Sequence, residues 1–194
     1  IKDPALWVMS IVWSGYMVAG GAMATVYVLG RVFGTPLVGK LSDHLLKRNN
    51  TPRSVVICVG LVLIAAMFYT YTTPIPTTFA MGALAFFSGI VINIFPLINA
   101  SCAEIWSIRA TGFSMGIINT VGQFAGALAL SASGYMAVKY SIKGGAFYTE
   151  FLGIWYLGII TSIVAAIAAV YVIYREKRAF ATHAASDTSG QKSV

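Results

Sequence analysis

Apolar residues in this sequence fall into long runs, and short polar connectors separate them. An α-helix needs about 20 mostly apolar residues to cross the hydrocarbon core of a lipid bilayer. Four runs reach that length, at residues 54–73, 78–100, 112–137 and 151–173. The pattern therefore predicts a membrane-spanning helix in each of these positions.

The stretch before them, residues 5–42, is too long for a single span. As one helix it would extend about 57 Å, against a hydrocarbon core of about 30 Å. The adjacent Gly20 and Gly21 are the natural point for a break. We expect a short span at 5–18 and a full span at 20–42, which gives six spans. The rival interpretation is one long helix that emerges from the bilayer.

Composition places the protein in the membrane. Hydrophobic residues make up 58% of the chain and charged residues only 10%, whereas a soluble domain carries about 25% charged residues. So few charges cannot cover a water-facing surface, and the lipid bilayer is the expected partner. The net charge of +7 would suggest nucleic acid in a soluble protein. Here the basic residues cluster in the connectors, where the positive-inside rule explains them, so we expect no nucleic-acid partner.

Lysine and arginine are concentrated in three segments, which are the connectors 43–53 and 101–111 and the tail after residue 174. In a six-span arrangement these three segments share one side of the membrane. The connectors on the other side, 74–77 and 138–150, carry only two lysines between them. The positive-inside rule then places the three basic segments, and with them the C-terminus, in the cytoplasm.

The tail differs in composition from the rest of the chain. After a short charged run it is rich in Ala, Thr, Ser and Gly, which cannot bury a core. We expect a transmembrane bundle over residues 1–174 and a disordered cytoplasmic tail at 175–194, in the plasma (inner) membrane.

One connector carries a motif that resembles the loop signature of the major facilitator superfamily. In that family a glycine, any residue, a leucine, a small residue and an aspartate precede basic residues, in the loop between the second and third helices of each six-helix half. The motif departs from the family pattern at His44, where an arginine or lysine is usual. It reads Gly39-Lys40-Leu41-Ser42-Asp43, followed by Lys47 and Arg48.

A second segment is similar to the loop before the eleventh helix of that family, which often has a glutamate and an arginine. Here these residues are Glu104 and Arg109, and a glycine-rich helix follows them. The resemblance covers nearly the whole chain as helices seven to twelve, the C-terminal half of an all-α integral membrane protein with twelve helices. The first span is shorter than a complete seventh helix, which fits a chain truncated at Ile1.

The resemblance implies a secondary active transporter that works by alternating access. In such a transporter two six-helix halves rock about a small-molecule substrate bound between them. The implied partner is the missing N-terminal six-helix half of the same protein, and the mechanism is ion symport or anion exchange (antiport). A non-transporting membrane scaffold or channel subunit is the alternative from another class.

A gate is predicted around Asp43. A carboxylate at the end of a helix can meet the partially positive N-terminus of a neighbouring helix. The helix that starts near Thr111 offers such an N-terminus beside Arg109, so we predict that Asp43 bridges to both and latches the cytoplasmic side in one of two states. The other interpretation is a solvated loop charge. The predicted gate residues are Gly39, Asp43, Lys47, Arg48, Glu104 and Arg109.

Arg31 is the clearest candidate for substrate binding. It lies twelve residues before Asp43, about 18 Å along a helix and therefore near the middle of the bilayer. Ionisable groups at that depth are expensive and usually functional, and a guanidinium matches a carboxylate or phosphate. The other interpretation is an arginine that pairs with helix carbonyls or reaches to an interface. Family members that carry organic anions often use arginines in the cavity, so the expected substrate is a small organic anion such as a carboxylate. A sugar, an amino acid or a drug-like compound remains open.

Amide and glycine positions within the spans are the weaker candidates. Asn93, Asn119 and Gln123 either line the cavity or hydrogen-bond between helices, and the sequence favours neither role. Pro36 and Pro96 should kink their helices. Glycines spaced by four allow close helix packing, and these pairs are Gly30/Gly34, Gly112/Gly116 and Gly122/Gly126.

No enzymatic constellation is recognisable in the sequence. His44 and His183 are far apart, and no phosphate-cradling loop or metal-ligand spacing appears. Cys58 and Cys102 are interpreted as small buried apolar residues. We therefore expect neither catalysis nor a metal or other cofactor.

Overall fold

The computed structural model describes residues 4, 7, 25–75, 77–106, 108–140 and 152–190, and this part of the chain is α-helical apart from short turns. The predicted span 5–18 lies outside the described residues except for Trp7. The helices are α1 (Thr25–Asn49), α2 (Arg53–Tyr71), α3 (Thr78–Val91), α4 (Phe95–Ile105), α5 (Ile108–Tyr140) and α6 (Leu152–Gly190).

Within the described residues, four helical segments are long and apolar enough to cross a membrane. Large apolar side chains lie on their outer surfaces, including Phe79, Leu130 and Ile167. Such a surface would drive association in water, so lipid is the solvent that suits it. The charges and glycines of α1 keep it out of this set. The four segments are Arg53–Tyr71, Phe79–Ile105, Ala110–Met136 and Leu152–Ala181.

The helices pack mainly in two pairs, since α2 packs along α6 and α1 packs along α3. One face of α2 is buried and carries branched and aromatic side chains at helical spacing. The facing surface of α6 is rich in small residues, so the large side chains fill the space that the small ones leave. At the far end of this pair, Trp155 stacks on Tyr71 with ring centroids 4.8 Å apart. The buried residues of the two faces include Ile57, Leu61, Ile64, Phe68, Ala165, Ala166, Ala169 and Val172.

The helix α1 is longer than the sequence predicts. We expected Asp43 to end it and residues 43–53 to form a connector, but α1 continues to Asn49. It ends where Asn50 takes a positive φ of 49° and donates its N–H to the Leu46 carbonyl at 3.0 Å. This left-handed cap is a conformation that asparagine tolerates. Because the turn before α2 is then only three residues long, the end of α1 stays close to the start of α2.

The predicted span 78–100 is interrupted. Helix α3 stops at Val91 and α4 starts at Phe95. Pro96 occupies the first turn of α4, where a missing N–H costs little, and it could not continue a helix that ran on from α3. The break exposes backbone groups around Asn93, whose side chain becomes available to another helix.

The last helix also differs from expectation. We predicted disorder from residue 175, whereas α6 continues as a helix to Gly190. Polar composition alone argues against a packed helix there, but Glu176 is completely buried against other helices. That contact attaches the first part of the tail to the bundle.

Glycines let α1 and α3 touch backbone to backbone. A Cβ added at Gly34 would lie 2.7 Å from both the Cα and the carbonyl oxygen of Ile90. Added methyl groups at Gly30 and Gly89 would meet the carbonyl oxygens of Phe86 and Tyr27. The close packing predicted for Gly30/Gly34 is therefore present, whereas a Cβ at Gly112 or Gly116 would meet no described atom within 4 Å.

Replacing Gly89 with alanine should destabilise the protein by about 1–3 kcal/mol, because the new methyl group collides with backbone that cannot rotate away. Thermal unfolding of the purified protein in detergent measures this. Gly82→Ala is the matched control on the same helix, since a Cβ there meets nothing within 4 Å; it should leave the melting temperature unchanged or raise it slightly. Equal behaviour of the two variants would contradict the close crossing.

Candidate functional site

Charged side chains from four helices meet at one end of the bundle. They are Asp43 on α1, Arg53 at the start of α2, Glu104 near the end of α4 and Glu176 on α6. We call these four residues the charged cluster. Its members lie at or near the ends of the apolar segments, where charged residues begin.

The guanidinium of Arg53 joins two acidic side chains. Its Nη1 lies 2.5 Å from Oδ1 of Asp43, and its Nε lies 2.7 Å from Oε1 of Glu104. The Arg53 and Glu104 side chains are only 17% and 20% exposed, whereas Asp43 is 54% exposed. A planar fork of five N–H donors suits this bridging geometry in a way that the compact ammonium of a lysine does not. Arg53 therefore ties the ends of α1 and α4 to the start of α2.

Glu176, which is remote from α2 in sequence, caps the N-terminus of α2 through direct hydrogen bonds. Its Oε1 accepts the backbone N–H of Arg53 at 3.0 Å, and its Oε2 accepts that of Ser54 at 3.0 Å. The Ser54 hydroxyl donates to the same Oε2. The first N–H groups of a helix have no partner within it, and Pro52 at the N-cap has no side chain that accepts them. A carboxylate also complements the positive end of the helix dipole.

The position of Glu176 relative to the bilayer follows from helix length. The apolar part of α6, from Leu152 to Tyr174, is about 34 Å long and already crosses a core of about 30 Å. The charged run that begins at Arg175 lies beyond it. Burial within the protein, and to a smaller extent the nearby carboxyl group of Glu104, raise the pKa of Glu176 to about 7.

A second polar arrangement lies between α1 and the break after α3. The buried Asn93 donates its Nδ2–H to the backbone carbonyl of Arg31 at 2.8 Å and to the hydroxyl of Thr35. Thr35 in turn donates to the same carbonyl at 2.9 Å. The guanidinium of Arg31 lies over the ring of Tyr27, 5.9 Å from its centroid. These contacts hold the turn of α1 that carries Arg31.

Comparison with known proteins decides the family. A family model described as the Major Facilitator Superfamily matches residues 6–192. The chain belongs to the Major Facilitator Superfamily. It is therefore a membrane transporter of the major facilitator type, as the motif at Gly39–Asp43 indicated. No curated protein and no solved structure gives a significant match.

The structure brings two of the predicted substrate-binding residues of this transporter, Arg31 and Asn93, into contact. Asn93 contacts the backbone of Arg31, so its amide serves helix packing, which was one of its two predicted roles. Asn119 and Gln123 lie on α5, where Asn119 is half-buried and Gln123 is exposed.

The predicted gate residues of this transporter fall into two groups in the structure. Asp43 and Glu104 belong to the charged cluster and share Arg53, whereas Lys47 and Arg48 are exposed on the last turns of α1 and Gly39 is half-buried. The side chain of Arg109 lies outside the described residues, and so does the predicted Asp43–Arg109 bridge. The cation that the structure places on Asp43 is Arg53, which the sequence suggested only as a loop charge.

The sequence analysis did not predict the roles of Arg53, Ser54 and Glu176 in this transporter. Two features of the sequence could have indicated them. Pro52 followed by a polar pair indicates a helix start without a local cap. Glu176 is the lone acidic residue in a run that is otherwise basic, which is unusual for a segment whose positive charge sets the topology.

Replacing Arg53 with glutamine should destabilise the protein by about 2–3 kcal/mol, because the partly buried carboxylate of Glu104 loses its cation; the exposed Asp43 contributes little, and a fully buried pair would lose somewhat more. The melting temperature in detergent measures the effect. Arg48→Gln removes the same charge from an exposed position nearby and should change stability by no more than about 0.5 kcal/mol. A melting temperature of Arg53→Gln equal to that of Arg48→Gln would show that the ion pairs do not hold the cluster together.

Proposed function

We propose that the protein is the C-terminal six-helix half of a twelve-helix secondary active transporter for a small organic anion. The two halves bind the substrate between them and expose it to either side in turn, by ion symport or by anion exchange. The charged cluster lies on the cytoplasmic side of the plasma (inner) membrane, as the distribution of lysine and arginine favours.

The feature that carries this proposal is Arg31, whose depth near the bilayer centre is predicted from its position in the sequence. A charged side chain near the bilayer centre is costly, and natural proteins keep one there mainly for function. Asn93 and Thr35 hold the backbone of the turn that carries Arg31, and its guanidinium carbon lies over the ring of Tyr27. A guanidinium can bind a carboxylate through two parallel hydrogen bonds.

The charged cluster supports the rocking movement that such a transporter needs. Rigid-body rocking requires that the helices of one half move together. Arg53 and Glu176 connect the ends of α1, α4 and α6 to the start of α2, so the cluster makes one end of this half a single unit. In this proposal it replaces the predicted Asp43–Arg109 latch as the element that supports one conformational state.

The distribution of carboxylates bears on the coupling mechanism. The acidic residues in the described helices are Asp43, Glu104, Glu176 and Asp187; the first three lie in the charged cluster, and Asp187 lies near the end of α6. A symporter of this design would carry its intramembrane coupling group in the other half, and an exchanger would need none.

In the full-length protein, Arg31→Lys and Arg31→Gln should each weaken binding of the organic anion at least tenfold. A lysine keeps the charge but loses the two-pronged geometry, and a glutamine loses the charge as well. Ligand-dependent thermal stabilisation against a panel of organic acids measures the affinity, since a ligand at about 100 times its dissociation constant stabilises by about 2.7 kcal/mol.

Lys40→Gln is the control for this test, because it removes a positive charge from an exposed position of the same helix. It should bind the anion as the unchanged protein does. Unchanged affinity in Arg31→Gln, or stabilisation by a neutral sugar or an organic cation and by none of the acids, would overturn the proposed substrate class.

A further inference from the structure

Two carboxyl groups face each other inside the charged cluster. Glu176 is completely buried, and its side chain is within hydrogen-bonding reach of Glu104. The Oε2 atom of Glu104 is buried and has no donor among the described groups. A carboxylate oxygen accepts hydrogen bonds and cannot donate one, so contact between two carboxyl groups is favourable only when one of them carries a proton.

The charges around the pair do not remove this requirement. From α2, Arg53 gives its guanidinium to Asp43 of α1 and Glu104 of α4, and gives Glu176 only its backbone N–H. The remaining titratable neighbour on α4 is the thiol of Cys102. In the described ion pairs of the cluster, the guanidinium of Arg53 binds Asp43 and Glu104 and leaves the carboxyl group of Glu176 to the amides of α2 and to Ser54.

We propose that Glu104 and Glu176 hold one proton between them, and that the charged cluster is a proton-binding site which joins α2, α4 and α6 when it is loaded. Two carboxyl groups that share a buried site oppose each other's ionisation, so the second of them loses its proton only at a raised pH. The ligand is a proton taken from the water at the membrane surface. The site is separate from Arg31 and does not depend on the substrate or on the direction of transport.

Loss of the proton weakens the contact between the helices. The second negative charge repels the first, and α6 is pushed away from α4 while the first amides of α2 lose their cap. An exposed glutamate has a pKa of 4.5, whereas burial and Glu104 raise the pKa of Glu176 to about 7 in the assembled cluster. The assembled arrangement therefore binds the proton more tightly than a released one. The stabilisation is complete below about pH 4.5 and is lost as the pH rises through about 7.

Infrared titration of the intact protein tests the site directly, because a protonated carboxyl group has its own C=O band. We expect such a band to disappear on alkalinisation with a midpoint near pH 7. Glu104→Gln and Glu176→Gln should each abolish the band. Ser54→Ala should move the midpoint to higher pH, since the ionised form loses the hydroxyl that donates to Glu176.

Histidine is the side chain that normally titrates in this range, so His44→Gln is the control. His44 is exposed and adjacent in sequence to Asp43, and its replacement should leave both the band and the midpoint unchanged. Absence of the band from the unchanged protein, or its persistence in both glutamate variants, would overturn the proposal.

Hydrogen exchange reports the structural consequence. After correction for the intrinsic pH dependence of exchange, protection of the Arg53 and Ser54 amides should fall above pH 7 in the unchanged protein. In Glu104→Gln protection should stay constant, because the glutamine amide donates permanently to Glu176. This variant keeps the proposal testable if Glu176→Gln does not fold. The same loss of protection in Glu104→Gln as in the unchanged protein would contradict the shared proton.

Discussion

The contact between the carboxylate of Glu176 and the first amides of α2 is the interaction on which the charged end of this bundle depends. Helix α2 begins at Pro52–Arg53 without a local side-chain cap, so its N-terminal amides need an acceptor from elsewhere. Glu176 supplies it from a position more than 120 residues later in the chain. Because this contact places the start of α2 beside α6, it also positions the guanidinium of Arg53 where Asp43 and Glu104 can reach it.

A different constraint governs the membrane interior. Lipid offers no hydrophobic drive for helices to associate, so close packing and a few hydrogen bonds must hold them. The glycines at the α1–α3 crossing provide the packing, and Asn93 at the break after α3 provides the hydrogen bonds to α1. The same contacts hold the turn that carries Arg31. Packing and the proposed binding of substrate therefore share one structural element.

The two regions would have different roles in the proposed transporter half. The arrangement around Arg31 is held by close backbone packing of α1 against α3 and by the hydrogen bonds of Asn93. The charged cluster is built from ionisable groups, so in the proposal above its stability changes with protonation. Close packing in one region and a titratable contact in the other suit the proposed movement of this half as one body between two states.

The sequence by itself determined the solvent, the helical class and the family. Runs of about 20 apolar residues, few charges and the Gly39–Asp43 motif are local properties, and each was readable without coordinates. Arg31 and the glycine pair Gly30/Gly34 were also recognisable, because a charge, or a pair of glycines spaced by four, is easily seen within an apolar run of the sequence.

Only the tertiary structure decided which partners the polar residues take. Asp43 pairs with Arg53, Asn93 serves the backbone of α1, and Glu176 enters the bundle although its surroundings in sequence predict a disordered tail. The sequence also did not predict that α1 extends to Asn49 or that the helix breaks near Asn93, because caps and contacts with neighbouring helices determine where helices end. The physical reason is that a hydrogen bond or ion pair depends on which helix ends meet in space, and spacing along the chain does not contain that information.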